Sequence, residues 1–203
     1  MVKKIVAAAA ALLLVSSALM AEVKMGMAAS SSGGGSFYLT IGDYNRVPEK
    51  EVIVVKQRGI PDEELPVVYF LAAKAKVKPE EVIKFRLRKW GWMKIANKLR
   101  VHPEVFYIEL NERPSGMYYG KAFGQYYKYE RRKWNKIRLS DEDVVNIVNL
   151  KVISEHYRRN PVEIIKMRET GKTFVAIDRE FREEKLKMDK LRKKGPEKYY
   201  KKR

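Results

Sequence analysis

Three runs of carboxylates are the first residues that could do chemistry: Asp62, Glu63 and Glu64; Glu80 and Glu81; Asp141, Glu142 and Asp143. Paired acids serve general acid–base hydrolysis when they converge in a cleft with separated pKa values. Each run, however, directly follows Pro61, Pro79 or Ser140. A proline or serine there opens a helix, and acids in the first turn suit the positive end of its dipole. The acids therefore read as helix starts. Cysteine is absent, which removes disulfides, thiolate zinc, iron–sulfur clusters and cysteine nucleophiles together. His102 precedes a proline and His156 falls late in a long helical pattern; neither sits in the HExxH pattern of a helical metal site. Ser115-Gly116 lacks the preceding glycine of a nucleophile elbow. The reading is of no catalytic residue, no metal and no cofactor.

Residues 95–106, IANKLRVHPEVF, carry the apolar spacing of a helix-turn-helix. Arg100 occupies the turn where glycine usually supplies a positive φ, so ordinary helix packing is the preferred reading over DNA readout. The strongest signal is KYERRKWNKIR, residues 128–138. Lys128, Arg131, Arg132, Lys133, Lys136 and Arg138 are candidates for holding phosphate or carboxylate groups. Trp134, Tyr126 and Tyr129 are candidates for stacking on sugars or bases. The rings have a second reading, as staples that anchor the segment and leave only its cations in solvent.

The elements that must position these residues follow from pattern. The chain has 203 residues with 43 Lys and Arg against 25 Asp and Glu, a formal charge of +18. Lys3 and Lys4 precede an apolar run from Ile5, and Ala21 precedes the first acid, Glu22. This is the form of a secretory signal peptide cleaved after Ala21 or after Ala18, its apolar run being shorter than the roughly 20 residues of a spanning helix. The expected location is periplasmic or extracellular. Residues 22–43 read as a flexible linker region around AASSSGGGS, with no following helix or lysine to make a phosphate loop.

Beyond the linker, PEEVIKFRLR at 79–88 matches PVEIIKMRET at 161–170, and at the same offset of 82 residues Trp92 aligns with Phe174. A helix over residues 62–76 presents Leu65, Val68, Tyr69, Ala72 and Ala75; one over 141–158 presents Val144, Ile147, Val148, Val152 and Tyr157, each a single apolar stripe. Shorter helices follow over residues 80–89 and 162–170, with a third starting near Trp92 and near Thr173. Residues 52–55 read as helix, 38–41 as β-prone, and 113–125 as an ordered loop because Gly116, Gly120 and Gly124 interrupt any stripe. The expectation is an all-α fold: a first helical unit at 44–112, a basic aromatic connector at 113–139, a second unit at 140–178, and a basic charged helix and tail at 179–203.

The segments VPEKEVIVVKQRGIPDEELPVVYFLA, YYGKAFGQYY, LSDEDVVNIVNLKVISEHY and GKTFVAI, in that order, resemble segments of small exported bacterial helical-repeat proteins of uncharacterised function. The resemblance implies export and helical architecture, and no activity.

The functional expectation is a non-catalytic exported protein that binds an anionic envelope partner: a polysaccharide, a lipid surface touched peripherally, or an acidic protein. Alternatives from other classes are an assembly factor docking a partner on apolar helix faces, a cell-wall-active enzyme with unidentified carboxylates, and a helix-turn-helix nucleic-acid binder.

Overall fold

The computed structural model describes residues 34–114 and 116–193. The signal segment and residues 194–203 of the basic tail lie outside the described residues. The compact helical body starts at Ser36. The described residues form nine α-helices: α1 Gly35–Asn45, α2 Glu49–Gln57, α3 Leu65–Ala75, α4 Pro79–Leu87, α5 Trp92–Lys98, α6 Gly120–Lys128, α7 Asp141–Tyr157, α8 Pro161–Glu169 and α9 Phe174–Lys193. Single 3₁₀ turns at Asp62–Glu64, Pro103–Phe106 and Arg131–Lys136 complete the described fold, which contains no strand. None of the described helices is long and apolar enough to cross a membrane.

The middle of the body is the pair α3 and α7. Leu65 to Ala72 is buried without interruption, and α7 buries Val144, Ile147, Val148, Leu150, Val152 and Ile153 on opposite sides. The single stripes expected from sequence are therefore too narrow. A helix apolar all round belongs in the centre of a layered body, where neighbours cover every face.

Helix starts follow local rules. Ser140 accepts from the Asp143 N–H at 3.1 Å while Asp143 accepts from the Ser140 N–H at 2.8 Å, a capping box on α7. Helix ends share a second device. Arg46, Lys76, Arg100 and Arg158 all take positive φ, between 53° and 58°, just after α1, α3, α5 and α7. The next residue then closes the turn: Val47 donates to Gly42, Val77 to Ala72, Val101 to Ala96 and Arg159 to Ser154, at 2.8–3.0 Å. The left-handed conformation that seemed to need glycine at Arg100 is adopted by arginine, and the cation sits where the helix dipole favours it.

Two further expectations are corrected. The linker ends before residue 43, because α1 begins at Gly35 and fully buries Phe37 and Ile41; residues 38–41 are helical. A helix thus does follow the glycines, though without a lysine in its first turns. Hydrogen bonds from distant elements hold it. Tyr38 donates to Asp62 at 2.8 Å and Tyr44 to Glu155 at 2.7 Å. Thr40 pairs at 3.0 Å with the Tyr157 hydroxyl, which donates to the buried Asp178 at 2.9 Å. The second correction is at residues 113–125. Residues 120–128 form α6, because burying Ala122, Phe123 and Tyr126 outweighs the roughly 1 kcal/mol that each helical glycine costs.

Candidate functional site

The basic aromatic connector is built from the inside out. Tyr119, Phe123 and Tyr126 enter the core from the start and one face of α6. Tyr126 donates to the Pro103 carbonyl at 2.8 Å, and burial raises the pKa of its phenol. After Tyr129 the chain makes the 3₁₀ turn Arg131–Lys136, and Trp134 is only 7% exposed. Its indole N–H donates to the Tyr129 carbonyl at 3.0 Å; its ring lies 4.8 Å from Tyr107 and edge-on to Tyr126 at 5.1 Å. Tyr129 is half-buried. Gln125 bonds both backbone groups of Arg138, clamping the end of the turn to α6.

Of the three candidate stacking residues, Trp134 and Tyr126 are therefore not open platforms. Their rings are packed into protein, because an aromatic N–H or O–H can be buried once a carbonyl accepts it. The staple reading fits these two rings.

The cations point the other way. Lys128, Arg131, Arg132, Lys133, Lys136 and Arg138 are all exposed and share one surface turn and its flanks. Arg131 pairs with Glu104, and Arg132 with Glu130 at 2.6 Å, all on the surface. Arg138 donates to the carbonyls of Asn135 and Ile137. Lys128 lies 5.6 Å from the centre of the Tyr129 ring. Among the described residues, no acid forms an ion pair with Lys133 or Lys136.

The carboxylates have structural employment, partly of an unexpected kind. Asp62 pairs with Lys56 at 2.8 Å. Asp141 accepts from the backbone N–H of Trp92 at 2.7 Å, and Glu63 from that of Phe174 at 2.7 Å. First-turn acids of one helix thus cap the first residue of another, α5 and α9. Gly91 makes room for the first of these, since a Cβ there would stand 3.0 Å from the Asp141 carboxylate.

Beneath each cap lies an arginine that sequence reading passed over. Arg86 stacks on Trp92 at 4.5 Å, donates to the Trp90 carbonyl at 3.0 Å, grips both oxygens of Glu64 at 2.7 and 2.5 Å, and reaches Asp141 at 2.5 Å. The bond to Glu64 is the main cause that raises its pKa. Arg168 stacks on Phe174 at 4.5 Å and donates to the Lys172 carbonyl at 2.5 Å. The signal was available: both arginines stand at the same place in the 79–88 and 161–170 match.

His102 accepts from the Glu104 N–H at 3.2 Å, capping the 3₁₀ turn Pro103–Phe106. That turn has four residues with Pro103 and Phe106 buried, so the segment after Arg100 offers no recognition helix for a DNA groove. His156 lies edge-on to Tyr157 at 4.6 Å, its pKa lowered chiefly by burial. No family model, curated protein or solved structure matches the chain.

Proposed function

We propose that this is an exported, non-catalytic protein that binds an anionic envelope component through the cations of residues 128–138. One observation carries the reading: six cations stand in solvent on a turn whose Trp134 is buried and whose ends are clamped. Like charges gathered this way repel and do nothing for the core, whereas a rigid cationic surface spends little entropy on holding an anion. The buried rings fix the turn, and affinity comes from charge.

The test uses an anionic polysaccharide and vesicles with and without anionic lipid. Reversing Lys128, Arg132, Lys133 and Lys136 to Glu should abolish binding while circular dichroism stays unchanged. Wild-type binding should fall steeply between roughly 50 and 200 mM salt, as screening shortens to about 8 Å. Salt-independent binding, or affinity unmoved by the reversal, would refute the proposal. Export is tested by sequencing the protein recovered from the cell envelope, which should begin at Glu22.

We further infer that residues 44–112 and 140–178 are related helical units. Trp92 and Phe174 each open a helix, each is fully buried, and each is capped by a carboxylate from elsewhere and roofed by an arginine. The positive-φ residues keep the same offset, Lys76 with Arg158 and Lys89 with Gly171. A solution structure of the full chain in which residues 79–95 and 161–177 failed to superpose would overturn this.

A further inference from the structure

Helix α9 carries one apolar row beyond the part of the body that covers it. Phe174, Ile177 and Phe181 are buried. The same alternating steps of three and four residues continue the row to Glu184, Met188 and Leu191. There the cover ends: Met188 is 55% and Leu191 65% exposed. Beside this end lies a groove of about 840 Å³, walled by α9 on one side. The end of α7 and the turn after it, His156 to Arg159, make the other wall.

Arg159 organises the groove. It stacks on Phe181 at 4.8 Å and pairs with Glu184 and, at 3.6 Å, with Glu163. Glu184, the one acid in the row, is thereby answered from within the body. The other cations of the lining are not. Arg158, Lys185, Lys187 and Arg192 are exposed and form no ion pair with any acid of the described residues. By helical register Lys185 and Arg192 edge the row on one side and Lys187 on the other. Asp189, half-buried, is the remaining acid of the lining.

We propose that this groove docks an acidic amphipathic helix of a partner protein. The apolar side of that helix lies on Met188 and Leu191, and its carboxylates meet Lys185, Lys187 and Arg192. Helices pair in this way when apolar rows face each other and the flanking charges are opposite. A groove also suits a rod about 10 Å across better than it suits a plane. Charge argues against the other occupants. A second copy sets Lys185, Lys187 and Arg192 against the same cations, whichever way the two helices run. Residues 194–203 of this chain hold five basic residues and one acid, so they too are repelled. The docking site is separate from the connector cations and does not rest on their role.

The experiment is NMR of the full chain labelled with ¹³C at the methionine methyls, titrated with three-heptad synthetic peptides. One peptide has Leu at a and d and Glu at e and g. A second has Lys in place of Glu, and a third has Ala in place of Leu. The Met188 methyl, identified by its loss in M188L, should shift saturably with the Leu/Glu peptide. The other two should bind at least about tenfold more weakly. K185E/K187E/R192E changes only exposed side chains and should keep the circular dichroism of the parent. It should reverse the preference, taking the Leu/Lys peptide over the Leu/Glu peptide. The connector charge-reversal variant should keep the Met188 shift even where it loses polyanion binding. No saturable shift, equal affinity for the three peptides, or a preference unmoved by the triple reversal would each overturn the proposal. So would a Met188 signal that, without peptide, changes with protein concentration or on deleting residues 194–203, which would give the groove to a second copy or to the tail. A Met188 shift with anionic vesicles and none with peptide would overturn it in favour of a bilayer.

Discussion

Substituting methionine at Arg86 and at Arg168 should have opposite weight, although the two arginines make the same ring contact. In R86M the lost guanidinium strands Glu64, whose side chain is 17% exposed, and Asp141, at 43%. Breaking a buried pair costs about 3–5 kcal/mol, and the exposure of Asp141 places this case near the lower end, about 3 kcal/mol. In R168M no carboxylate is stranded. The bond to the Lys172 carbonyl is lost, but so is the burial of a charge that is 8% exposed and pairs with no carboxylate of the described residues, and methionine can keep a contact with Phe174; the net change should stay within about 1 kcal/mol. Urea unfolding followed by far-UV circular dichroism, in buffer free of phosphate and carboxylate, separates the two. With a slope of about 2 kcal/mol/M, R86M should lower the midpoint by about 1.5 M and R168M by less than about 0.5 M. Adding E64Q to R86M should recover roughly 1–2 kcal/mol, since the stranded carboxylate is then neutral. Equal losses in the two methionine variants would refute the reasoning, by showing that counter-charge does not separate the two arginines.

Tyr38, Tyr44, Tyr69, Tyr119, Tyr126 and Tyr157 all have pKa values raised, in each case mainly by burial. Their contribution to stability is full below the unfolded tyrosine pKa of about 10 and is lost as pH rises above it, because only the unfolded chain ionises there. Urea midpoints should therefore fall from about pH 9 to about pH 11; midpoints that stayed level across that range would contradict this. Lys89 has φ 63° where Gly171 occupies the matching position at 89°. K89G should stabilise the fold by about 0.5 kcal/mol, the relief of left-handed strain less the added freedom of the unfolded chain, measurable in the same melts. Replacing Trp134 with alanine should cost about 3 kcal/mol of stability, as for a buried ring. Loss of affinity without loss of stability would return that ring to the binding surface.

Where helices start and stop was legible in the amino-acid sequence. Ser140 with Asp143, Pro79 with its acids, and Pro161 with Asn160 act within three or four residues, so the physics of capping is complete in a short window. The all-α character followed from the same local pattern. Other features depended on partners far along the chain. Helix α1 looked like linker and strand because it follows a Ser/Gly run and residues 38–41 are β-prone types, so the stripe of Phe37, Tyr38, Ile41 and Tyr44 was overlooked; Tyr44 is held by an acid 111 residues away. Helix α6 survives its glycines only because the core takes Phe123 and Tyr126. Trp134 reads equally as lure or staple until Tyr107 and Tyr126 close around it. The acids announced helix starts, but which helices they cap was decided across 49 residues for Asp141 and 111 for Glu63. Burial and counter-charge are properties of what packs alongside, and for the Arg86 and Arg168 pair that neighbourhood alone separates a paired cation from one with no carboxylate partner among the described residues.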